Sequence, residues 1–153
     1  MSHVSEEFGY EPRVRLAGAV KEEVAELSSA VLDMLHVRGR TTEGGPMEVA
    51  WDGGDDPDAY HNITHMWSLY GVDNSVLGQG MASLAEQLPG RGWVVVKNGP
   101  DSSRNRNQEI LATHLATRAQ LEASWKKGLD GHEPLLSFSV YSRFFAPAPE
   151  PGR

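Results

Sequence analysis

From Val20 onward, apolar residues return at Val24, Leu27, Val31 and Leu35, in steps of four, three, four and four, while Lys21, Glu22, Glu23 and Glu26 fill the opposite side. This spacing predicts an amphipathic helix ending near Gly39. Beyond Gly44, Gly45 and Pro46 the period drops to two: Met47, Val49 and Trp51 alternate with Glu48, Ala50 and Asp52, which predicts a first strand. A second strand is predicted over 63–72, with Ile63, His65, Trp67 and Leu69 as its heavier set. Asp73 or Asn74 then offers a side-chain oxygen to cap a second helix. Its stripe is Val76, Leu77, Met81, Leu84 and Leu88, and Pro89 with Gly90 stops it. Gly78 and Gly80 lower its intrinsic propensity by roughly 1 kcal/mol each relative to Ala, so a close approach to the sheet or to the first helix is expected there.

The remainder reads as strand. The β-branched run 93–97 leads into a polar stretch, 98–107, with Asn-Gly and Pro-Asp turn chemistry, and strands follow over 108–115, 119–126 and 134–145. The order is αββαββββ. Short strand-to-strand loops cannot hold parallel crossovers, so the expected fold is α+β, a two-layer sandwich in which an antiparallel sheet of about six strands carries two helices on one face. Residues 16–145 are expected to form this single domain around one core. The polar segment 1–15, with Gly9 and Pro12, and the Pro-rich tail 146–153 are expected to be flexible.

Alternation sorts each strand into a helix-covered and an open face. On the last strand Leu136, Phe138, Val140 and Phe144 are expected inward, and Ser137, Ser139, Tyr141 and Arg143 outward. Leu111, Thr113 and Leu115 are expected inward, which turns Ile110, Ala112 and His114 out; Met66, Ser68 and Tyr70 are also expected outside. An open face carrying Tyr70, His114, Tyr141 and Arg143 would suit recognition of a protein or ligand, because amphipathic rings and guanidinium groups dominate binding hot spots. The alternative is a plain solvated face.

Charge narrows the partners. A net charge of -7 argues against nucleic acid or anionic lipid, which need a positive field. Without cysteine there is neither a disulfide nor thiolate chemistry. No stretch of 18 apolar residues occurs and the N-terminus as given carries no apolar run, so no membrane insertion and a cytoplasmic location are expected, or secretion if a signal segment has been removed.

Candidate chemistry is sparse. His61 and His65 in HNITH follow the acidic turn of Asp55, Asp56 and Asp58, yet a strand sets residues four apart about 13 Å from each other, too far to share an ion. His65 is expected to be a core or rim histidine. His114 has no GxSxG elbow to serve. Lys97, Arg104 and Arg106 form the locally basic patch, suited to a phosphate or an acidic partner, or merely a solvated hairpin tip. Neither metal nor cofactor is expected.

The residues Gly80, Met81, Leu84, Leu88, Gly92, Trp93, Val95, Val96, the run Gly99-Pro100-Asp101-Ser102-Ser103 and Leu136-Ser137-Phe138-Ser139-Val140 resemble a family of small actinobacterial lipoproteins of uncharacterised role. The resemblance covers roughly the last half of the chain. Members of that family begin with a signal peptide and an acylated Cys, neither of which stands in this sequence, so the resemblance implies the fold and transfers no anchor and no catalytic residue. Two functions stay open: a non-catalytic binding or interaction module, and a small biosynthetic or hydrolytic enzyme using His61, His65 or His114 as acid-base groups. An uncovered edge, the first or last strand, could pair with a second copy.

Overall fold

The computed structural model describes residues 3–129 and 131–149. The long helices are α2 (Ala17–Met34) and α3 (Asn74–Gln87), preceded by a short α1 (His3–Phe8). Strands are β1 (Val14–Arg15), β2 (Arg40–Thr41), β3 (Met47–Ala50), β4 (His61–Tyr70), β5 (Trp93–Pro100), β6 (Gln108–His114), β7 (Gln120–Lys126), β8 (Leu135–Tyr141) and β9 (Ala146–Pro147). Seven of them form one antiparallel sheet in the order β2-β4-β8-β7-β6-β5, with β3 also paired to β4; β1 and β9 form a separate parallel pair. The chain is an α+β fold with α2 and α3 on the same sheet face.

Local chemistry explains the helices. Of the stripe its spacing predicts, α2 buries Val20, Val24 and Val31, with Leu35 buried at its C-cap and Leu27 half-buried; Met34 is buried beside them, and the helix ends just before His36 takes φ 53, three residues ahead of Gly39. α3 starts at Asp73, whose carboxylate accepts the Val76 amide at 3.1 Å and the Ser75 hydroxyl at 2.6 Å. Those hydrogen bonds, the Ser75 one first, hold the Asp73 carboxyl below the ordinary aspartate range. The two glycines of α3 are contact glycines. A Cβ on Gly78 would sit 2.8 Å from the Trp125 ring, and one on Gly80 would sit 3.1 Å from Val37. Trp125 is held in place by its indole N–H, which donates to Asn74 Oδ1 at 3.0 Å.

Between helices and sheet lies one core in which Phe138 stacks on Trp67, ring centroids 4.2 Å apart, among Leu69, Leu77, Met81, Leu84, Leu121 and Leu136. β8 occupies the centre of the sheet. Consequently the last long strand offers no edge for a second copy; the open edges are β5 on one side and the short β2 and β3 on the other.

Two expectations change. In β6 it is Ile110 and Ala112 that are fully buried, and Leu115 is half exposed, so the parity of this strand is inverted. The register explains it: Ile110 lies opposite Ala123 and Ala112 opposite Leu121, both buried residues of β7, while Leu111 faces Glu122. Phe144 does not follow the inward set of β8, because the strand ends at Tyr141 and Phe145 takes the buried place instead. The described parts of both ends carry secondary structure. β1 pairs with β9, and Phe8 lies at the centre of an aromatic cluster with Tyr10, Trp51, Tyr60 and Phe144 at centroid distances of 4.8 to 5.8 Å. Residues 1, 2 and 150–153 lie outside the described residues.

Candidate functional site

The residues expected to share one recognition face are dispersed. On β4, Thr64 stands opposite Tyr141, and Tyr70 lies six residues further along, about 20 Å at the usual strand rise. Tyr141 itself is half-buried on the open face. Burial first, and its hydroxyl hydrogen bond to the Glu122 carboxylate second, push its pKa up to about 12. Folding therefore favours the neutral phenol: this contribution is intact below pH 10 and is lost as pH rises from 10 towards 12. An ultraviolet alkaline titration should show a late step near pH 12 that vanishes in Tyr141→Phe; a titration unchanged by the substitution would refute the assignment.

His114 belongs to the helix-covered side. Its ring lies 5.0 Å from that of Trp93, and Nδ1 is 2.8 Å from the Thr117 hydroxyl. Burial lowers its pKa, opposed in part by the negative charge of Glu23 on α2. The other two histidines are held apart. His61 contacts the Glu48 carboxylate and the Pro57 carbonyl, whereas His65 has Nε2 3.3 Å from the Gly44 carbonyl and Nδ1 2.8 Å from the Ser28 hydroxyl. No three His, Asp or Glu side chains gather for a metal ion among the described residues.

The basic hairpin patch is also divided. Lys97 is paired with Glu109 at 3.0 Å, and Arg104 and Arg106 stand exposed on a loop organised by Asp101, which accepts from the Ser103 hydroxyl and from the amides of Ser103 and Asn107. These bonds, led by that from the Ser103 hydroxyl, hold the Asp101 carboxyl below its ordinary range.

What the fold brings together is different. A cleft of about 720 Å³ opens between the segment 10–15, the first turns of α2, the β6–β7 turn and the stretch 142–145. Arg13, Arg15, Arg118 and Arg143 line it, together with Glu11 and Glu23, so among the described residues +4 meets -2 and leaves a local excess of +2 on an acidic chain. Two arginines are pinned. Arg15 is a bidentate partner of Glu23 at 3.0 and 3.3 Å, and the Arg143 guanidinium lies 4.0 Å from the Tyr10 ring centroid. Arg13 and Arg118 are exposed and have no ion-pair partner among the described residues.

The walls are tied by backbone bonds. The Ala146 amide donates to the Arg13 carbonyl and that of Ala148 to the Arg15 carbonyl, both at 2.8 Å; the Phe144 amide donates to the Tyr10 hydroxyl at 2.9 Å. Behind them, the Ser142 hydroxyl accepts the Ile63 amide at 3.0 Å and fixes the chain as it leaves β8. The cleft volume falls within the range of small-molecule sites, and its charged lining suits a polar, anionic occupant.

No protein-family model, curated protein or solved structure matches the chain. The cleft therefore rests on its own geometry. Of its four arginines, sequence reasoning singled out Arg143 alone and assigned it to the open face. Arg13 and Arg15 lay in a segment expected to be flexible, and Arg118 was an unremarked turn residue. The one available signal was the Arg13-Val14-Arg15 alternation, a two-residue strand too short for any periodicity to register.

Proposed function

We propose that this domain is a non-catalytic binding module whose recognition site is the arginine-lined cleft, and whose ligand is a small anionic molecule. The observation that carries this reading is the convergence of four guanidinium groups from three separate chain segments on one concavity of a net-negative protein. Guanidinium groups hold carboxylate or phosphate oxygens through paired N–H donors, and they stay charged at any ordinary pH. Acidic residues elsewhere repel anions from most of the surface, so the cleft is a local attractor.

Citrate titrated at constant ionic strength and followed by amide NMR should shift residues 13–15, 115–118 and 142–145 selectively. The double variant Arg13→Ala/Arg118→Ala should weaken that binding at least tenfold, because it removes the two arginines that have no ion-pair partner among the described residues. Shifts spread evenly over the surface, or equal affinity in the double variant, would reject the cleft as the recognition site.

A further inference from the structure

Arg118 sits in the turn between β6 and β7 with φ 63, in the left-handed region that glycine or asparagine occupies most easily. The turn is closed by the His114 amide on the Ala119 carbonyl and by the Arg118 amide on the His114 carbonyl, both at 2.8 Å. Nothing in this hydrogen bonding uses the arginine side chain, which instead lines the cleft. Strain held at a position whose side chain makes no hydrogen bond or ion pair among the described residues points to a role outside the fold.

The remaining arginines narrow that role. The fork of Arg15 already faces the Glu23 carboxylate, so the planar carboxylate position of the cleft is taken from within the chain. Arg13 and Arg118 are left without an ion pair, and Arg143, whose contact with the Tyr10 ring engages the face of its guanidinium and not its N–H donors, is the third; one comes from the N-terminal segment, one from the β6–β7 turn and one from the chain after β8. Donors arriving from three walls match a tetrahedral anion with three acceptor oxygens better than a planar one with two. The local excess of +2 is neutralised by a charge of -2.

Building on the reading of the cleft as an anion site, we infer that its ligand is a small phosphomonoester, with the dianionic phosphoryl group held by Arg13, Arg118 and Arg143. The rest of such a molecule occupies the part of the 720 Å³ that the phosphoryl group leaves open.

Calorimetric titrations of the full chain with inorganic phosphate, methyl phosphate, glycerol phosphate and acetate at pH 8 and fixed ionic strength test this. The phosphates are expected to bind at least tenfold more tightly than acetate, with glycerol phosphate no weaker than inorganic phosphate. Arg118→Gly is expected to lose at least tenfold in phosphate affinity while its melting temperature rises by about 2 °C, since glycine relieves the left-handed strain. A merely structural arginine would not separate the two readouts. Acetate binding as tightly as phosphate, with both lost in Arg13→Ala/Arg118→Ala, would overturn the phosphomonoester and leave the anion cleft standing. If none of the anions binds at the cleft, both fall. Unchanged phosphate affinity in Arg118→Gly would remove Arg118 from the site.

Discussion

Phe138→Ala is expected to destabilise the domain by about 4 kcal/mol and to lower its melting temperature by on the order of 10 °C, which thermal denaturation would read directly. Phe138 is 1% exposed and lies on the central strand. It faces Trp67 across β4 and Ala123 across β7, and its ring stacks on the indole at 4.2 Å. With small Ala123 on one side and the helices above, removal of the ring leaves a space inside the core, so transfer and cavity costs add. The contrast is Met66 on the open face, 74% exposed, where substitution by Ala should change stability by less than about 0.5 kcal/mol. Equal losses at the two positions would mean that both sheet faces are covered.

The second large effect is local. Phe8→Ala removes the ring that touches Tyr10, Trp51, Tyr60 and Phe144, contacts worth about 0.5–1.5 kcal/mol each beyond simple burial. A net loss of about 2 kcal/mol is expected, equivalent to roughly a 30-fold rise in the opening of the N-terminal segment. Hydrogen exchange should therefore quicken at residues 13–15 and 146–148 and stay unchanged in β8. Because Arg13 and Arg15 ride on that segment, citrate affinity should fall in parallel. Exchange that quickens equally in β8 would show that α1 unfolds only with the whole domain.

The helices and most of the sheet were legible because their determinants are short-range. The stripe from Val20 to Leu35, the capping oxygen of Asp73 and the alternation of Leu136, Phe138 and Val140 are each contained within a few residues, and each stands as expected. Gly78 and Gly80 even signalled their tertiary contacts, since two glycines in a helix need a reason and Trp125 and Val37 supply it.

β6 was ambiguous for an equally specific reason: Ile110 and Ala112 on one parity compete with Leu111 and Leu115 on the other, and the strand alone cannot rank them. Pairing with β7 decides, because Glu122 cannot enter the core and so carries its neighbour Leu111 outward. Met47 and Val49 illustrate the same limit. Their alternation marks a strand correctly, yet they pair with Thr64 and Asn62 and are 67% and 42% exposed.

The α+β class, the two long helices, the antiparallel sheet and the acidic field around them follow from periodicity, capping and charge, which act over a few residues or over the whole composition. Packing between distant elements is what puts β8 at the centre, turns His114 towards the helices and gathers Arg13, Arg15, Arg118 and Arg143 around one cleft. The first two outcomes turn on strand pairing, and the cleft depends on partners more than 100 residues apart, such as Arg13 bonded through its carbonyl to Ala146; no pattern within one segment encodes such a meeting.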